Sequence, residues 1–184
     1  MLHRSGIVFL MSGLAAAILA GCGGSTTPVV LPTAGGTLRP IGPVLVDVPV
    51  ERVVDGDTVK VLANGRSLTV RMIGIDTPET VKEGTAVQCF GPEASDFAKA
   101  TLEGTRITLE LDPSQGERDR YGRTLAYVWR QLADGTLSLF NAEAVEHGFA
   151  RERQYGNVPY AWRSELRERA RLAQANDAGL WAAC

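Results

Sequence analysis

Apolar and polar positions fall into three regimes along the chain. From Gly6 to Ala20 the residues are apolar or small and uncharged. Residues 23–43 follow neither a period of two nor one of 3.6, and are rich in Gly, Pro, Thr and small apolars. From Val44 a strand rhythm begins. Val46, Val48 and Val50 alternate with other residues, and Pro49 marks an edge or irregular start. Apolar β-formers then flank Asp55-Gly56, and a second pair of runs flanks Asn64-Gly65. Both dipeptides are hairpin turns, so three strands form a meander ending at Ile75. Arg106–Leu111 alternates as a fourth strand, and Thr124–Arg130, around Leu125, Tyr127 and Trp129, as a fifth.

Three stretches read as helices. Pro92–Glu103 has proline at its first position, Glu93 at its positive end, Gly104 as its stop, and Ala94, Phe97, Ala98 and Leu102 on one face. Leu139–His147 is stopped by Gly148. Tyr160–Ala175 buries Trp162, Leu166, Ala170 and Ala173. The predicted class is α+β, mainly β: a five-stranded Greek-key barrel of OB type with three helices, spanning 44–184.

Composition rules out several classes. The chain has 184 residues, 45% hydrophobic and 22% charged, an ordinary globular balance that excludes disorder throughout. Two histidines and three cysteines leave little for a zinc site. A net charge of −2 argues against a broadly basic nucleic-acid clamp.

The first residues are an address. His3 and Arg4 precede the apolar run, which is short for a membrane span and ends in small residues. Its end, Leu19-Ala20-Gly21-Cys22, resembles a bacterial lipobox. That resemblance implies removal of 1–21 and lipidation at Cys22, with 22–43 as a flexible tether. The alternative is a plain secreted protein. Removing 1–21, which carries Arg4 and no acid, leaves 163 residues at a net charge of −3. Cys89 and Cys184 remain as an even pair in an oxidising environment, which favours a disulfide over two free thiols.

Two acidic clusters carry candidate chemistry: Asp55-Gly56-Asp57 in the first hairpin and Asp76-Thr77-Pro78-Glu79 after the third strand. A meander brings both to one edge, where oxygen ligands suit a hard cation. Alone, each reads more readily as a turn or helix start than as a site. Arg71, on the strand face opposite Val70 and Met72, and Arg123, closing the turn Arg120-Tyr121-Gly122-Arg123, add cations suited to phosphate oxygens. The C-terminal Arg163, Arg167 and Arg171 form an i, i+4 ladder that reads as a solvated face or a nucleic-acid stripe.

In order and spacing, Val53–Thr58, Val70–Glu79, Gly91–Ser95, Tyr121-Gly122-Arg123 and Gly179-Leu180-Trp181 resemble the staphylococcal nuclease family. The resemblance implies a Ca²⁺-dependent phosphodiesterase with an OB fold, acting on DNA and/or RNA. It implies Asp57 and Asp76 as carboxylate metal ligands, Thr77 as a carbonyl ligand and Asp55 near the metal. Glu79 is implied to handle the attacking water, Arg71 and Arg123 to bind phosphate, and Arg120 and Tyr121 to contact a terminal phosphate. The family's base-stacking tyrosines have no clean match, and Tyr155 and Tyr160 stand as candidates. The whole reading is a monomeric nuclease held at a membrane outside the cytoplasm through Cys22. The alternative is an exported OB module that binds nucleic acid or protein without cutting.

Overall fold

The first strand serves two partners. β1 (Val44–Asp55) pairs through Val44–Pro49 with β5 (Arg106–Glu110) and through Val50–Asp55 with β2 (Thr58–Ala63), both antiparallel. Register shifts between Leu45 and Val48, Val50 and Arg52, and Val53 and Asp55 bend it between the two. Asn64 and Gly65 both adopt positive φ, as the tight turn between β2 and β3 (Arg66–Met72) requires. β3 lies parallel to β6 (Thr124–Gln131), with Val70 opposite Thr124 and Met72 opposite Ala126. That pairing closes the order β3-β2-β1-β5-β6 into a five-stranded barrel. The computed structural model describes residues 37–80 and 86–184.

Val59, Val61, Val70, Met72, Leu109 and Val128 fill the barrel. Trp129 packs edge-to-face on Trp162, and α1 (Gly91–Leu102) contributes Ala98 and Leu102. α2 (Phe140–Glu146) packs against α3 (Arg163–Ala175). The buried Glu110 carboxylate accepts Trp129 Nε1 at 2.7 Å and Trp162 Nε1 at 2.9 Å, and the Ile41 and Gly42 amides at 2.8 Å each.

Those last two bonds alter the expected boundary. Ile41–Pro43, read as the end of the tether, is bonded to the barrel, since Leu111 N–H also donates to Pro43 O at 2.8 Å. The leader 1–21, Cys22 and the tether up to residue 36 lie outside the described residues. The third helix starts at Arg163 rather than Tyr160, because the Tyr160 hydroxyl is bonded to Glu152 and Trp162 to Glu110. Four short elements were not expected: β4 (Ile75–Asp76), β7 (Leu137–Leu139), β8 (Arg151–Glu152) and α4 (Leu180–Ala183).

Candidate active site

The two acidic clusters meet at one end of the barrel. Gly56 and Asp57 form the turn between β1 and β2, and Asp76 ends β4. Asp57 Oδ2 accepts the Thr77 amide at 3.0 Å, which joins the turn to the chain leaving β4. Asp57 O accepts the Met72 amide at 2.9 Å, which fixes the turn against β3.

Arg71 bridges the carboxylates. Its Nη2 lies 3.0 Å from Asp57 Oδ2 and 3.2 Å from Asp76 Oδ1. Its Nη1 donates to Met72 O at 2.8 Å and Ile75 O at 2.9 Å. The Arg71 and Asp57 side chains are only 9% and 7% exposed, against 41% for Asp76. A buried charge needs such pairing. Burial pushes the Asp57 carboxyl up, to about 7. Arg71 opposes that rise, Asp55 adds to it, and bonds from Thr77 and Thr58 oppose it.

A second cationic wall faces this one. Arg123 Nε donates to Asp119 Oδ2 at 2.7 Å, and the Tyr121 and Arg123 amides both donate to Asp119 Oδ1. Burial opposes ionisation of Asp119, but these bonds together hold its carboxyl below the usual value. Tyr121 is exposed, with the guanidiniums of Arg120 and Arg123 at 4.7 and 5.3 Å from its ring centre. Between the walls lies a cleft of about 790 Å³, which Thr77, Glu79 and Tyr155 also line.

The Tyr155 hydroxyl donates to Asp76 Oδ1 at 2.7 Å and accepts Arg71 Nη2 at 3.1 Å. Burial, then the bond to Asp76, push its hydroxyl up to about 12, so it stays protonated at neutral pH. Glu79 Oε1 accepts the Thr80 amide at 3.0 Å.

The donors in this cleft are oxygens. Among the described residues, no three His, Cys, Asp or Glu side chains cluster as a ready metal cage. Asp55 instead turns back to accept the Asp57 amide at 3.1 Å. The available set is therefore the Asp57 and Asp76 carboxylates beside Thr77. It fits a hard cation that keeps part of its water, and the strained ionisation of Asp57 favours added positive charge.

Residues 69–183 match the sequence model described as "Staphylococcal nuclease homologue". The chain belongs to the staphylococcal nuclease family. It is 42% identical over 130 residues to the thermonuclease of Staphylococcus hyicus, covering 71% of this chain and 72% of that one. It is 42% identical over 133 residues to the thermonuclease of Staphylococcus intermedius, covering 72% and 74%. It also matches endonuclease YncB of Bacillus subtilis, 46% identical over 85 residues, which is 46% of this chain and 40% of that one.

Within this family fold, Asp55, Asp57, Arg71, Asp76, Thr77, Glu79, Arg120, Tyr121, Arg123 and Tyr155 all line the one cleft. Tyr160 does not. It is 3% exposed, packs near Tyr127 and donates to Glu152 Oε1 at 2.7 Å, so no base can stack on it. None of Arg163, Arg167 and Arg171 lines the cleft, and Arg171 pairs with Glu168 at 2.7 Å. Sequence reasoning missed Asp119, whose only signal was its place four residues before Arg123. Cys89 and Cys184 are joined as a disulfide, S–S 2.18 Å and Cα–Cα 6.0 Å.

Proposed function

We propose that this nuclease hydrolyses phosphodiester bonds of DNA and/or RNA with a bound Ca²⁺, outside the cytoplasm and anchored through lipid on Cys22. The names thermonuclease and endonuclease borne by its relatives support the reaction class. The observation that carries the site assignment is the Arg71 and Arg123 guanidiniums facing one cleft with Asp57, Asp76 and Glu79. The leader and the Leu-Ala-Gly-Cys tetrad support the location.

Asp57, Asp76 and the Thr77 carbonyl would hold the cation, with Asp55 behind them. When bound, it supplies positive charge beside the reacting phosphate. Arg71 and Arg123 bind the phosphate's free oxygens, and their charge matters most as the phosphorus gathers negative oxygens around it. Glu79 orients a water and accepts its proton as the water oxygen bonds to phosphorus and the bond to the leaving oxygen breaks. Arg120 and Tyr121 meet a terminal phosphate at the cleft's rim, and exposed Tyr155 offers its ring to a base.

The test is cleavage of DNA and of RNA by pure, folded protein with Ca²⁺ and with a chelator. Cleavage that needs Ca²⁺ and falls by orders of magnitude in Glu79→Gln is the expected result. Binding without cleavage by either protein would establish the non-catalytic module instead. Mass spectrometry of protein from its native host should show a chain starting at acylated Cys22.

A further inference from the structure

The backbone of Glu79 is held at both of its polar groups by one residue. Glu79 N–H donates to Gln88 Oε1 at 3.0 Å, and Gln88 N–H donates to Glu79 O at 2.9 Å. The first residue of α1 presses on the same stretch. A Cβ on Gly91 would fall 2.8 Å from Thr80 Cγ2, 3.1 Å from Glu79 O and 3.3 Å from Pro78 O. Only a glycine lets the helix start so close to the chain that carries Glu79.

Gln88 is exposed. Bonds that compete with water contribute little, so these two alone would hold Glu79 weakly. The next residue adds a covalent constraint. Cys89 is joined to Cys184, whose amide donates to Leu180 O at 3.1 Å. Leu180 is buried, and its own amide donates to Gly148 O at 2.9 Å behind α2. A continuous path of bonds thus runs from Glu79 through Gln88 and the disulfide to the folded body of the protein.

We infer that Gln88 and the Cys89–Cys184 disulfide position Glu79 for its reaction, so that the rate depends on the disulfide being closed. The inference rests on the role proposed above for Glu79. Gln88 is a positioning residue: it acts through the backbone of Glu79. Both cysteines are exposed, so a reductant reaches them. Reduction takes two electrons and two protons and returns two thiols, which frees Gln88 from the C-terminal anchor.

The experiment compares the wild type and Glu79→Gln, each alone, with Gln88→Met, with Cys184→Ser, and after reduction by a water-soluble phosphine. Folding is checked by thermal melting. Methionine keeps the length of Gln88 and removes its acceptor. Cys184→Ser opens the bridge from the end remote from Glu79. In the Glu79-containing protein, each change should lower kcat, by up to about 100-fold if Glu79 moves by an ångström, with KM changed less than about twofold. In the Glu79→Gln protein the same changes should leave the residual rate unaltered, because the group they position is gone. Wild-type kcat in folded Gln88→Met and folded Cys184→Ser, beside a crippled Glu79→Gln, overturns the inference alone. An equal loss in both backgrounds also overturns it, by showing a general structural effect. A Glu79→Gln enzyme with undiminished kcat overturns the role of Glu79 and the clamp together.

Discussion

The Tyr155 hydroxyl donates to Asp76 at 2.7 Å while accepting Arg71 Nη2 at 3.1 Å, so one phenol fixes both a candidate metal ligand and the arginine proposed to bind phosphate. A partner of this kind sets the orientation of a ligating carboxylate. Tyr155→Phe keeps the ring and removes both bonds. The Ca²⁺ concentration for half-maximal activity should rise by about tenfold, within the usual range for such partners. A Ca²⁺ titration of initial rates reads this directly. An unchanged midpoint would place Tyr155 outside the cation's surroundings.

Arg71 ties two carboxylates to two backbone carbonyls, and a lysine cannot do that. The planar fork sends Nη1 to Met72 O and Ile75 O and Nη2 to Asp57 and Asp76. Arg71→Lys keeps the charge but leaves buried acceptors unpaired. It should cost about 1–3 kcal/mol in stability. It should also lower kcat/KM by about 100-fold or more, as for loss of a preorganised donor. Urea unfolding and steady-state kinetics measure the two separately. A fall in rate without a fall in stability would show that the carbonyl bonds contribute nothing to the fold.

The barrel was legible because its strands announce themselves locally. Asn64-Gly65 demands positive φ at both residues, and the residues around it alternate, so β2 and β3 could be read without tertiary information. β4 and β8 could not be read, because two residues carry no period and their pairing of Ile75 with Glu152 spans distant sequence. The start of α3 was misplaced for a related reason. Trp162 has helical spacing with Leu166, but its buried bond to Glu110 and the bond of Tyr160 to Glu152 hold this stretch in a turn. In the site, residue types and order were enough to gather Asp57, Arg71, Asp76 and Arg123. The bridging by Tyr155 depends on contacts across 79 residues, and no local pattern encodes that.

Gly74 lies in the turn that carries the chain from β3 into β4 and so sets where Asp76 emerges. Its φ is +79°, and a Cβ there would fall 2.6 Å from Tyr160 Cε2 and 2.8 Å from Leu166 Cδ1. Gly74→Ala therefore combines left-handed backbone strain with overpacking against the buried Tyr160 ring and Leu166 side chain. The expected loss is about 2–4 kcal/mol. It should appear as a lower denaturant midpoint at an unchanged slope. A variant as stable as the wild type would mean that the turn relaxes without disturbing Tyr160.

Asp119 links acid stability to Arg123, the second arginine proposed to bind phosphate. Its folded-state carboxyl titrates below the ordinary value of 3.8, because the bonds from Arg123 and Tyr121 outweigh burial. The unfolded chain therefore binds the proton first as pH falls. The stabilisation from this group is fully present above the unfolded value and disappears as pH drops through the folded one. Asp119→Asn removes the ionised acceptor. The gap in unfolding free energy between wild type and Asp119→Asn should be widest near pH 6 and shrink towards pH 3, as read from urea unfolding at each pH. Any loss of phosphate affinity in the variant at pH 6 reports a displaced Arg123 guanidinium. A gap independent of pH would mean that Asp119 holds Arg123 by its shape and neutral hydrogen bonds, with its charge contributing nothing.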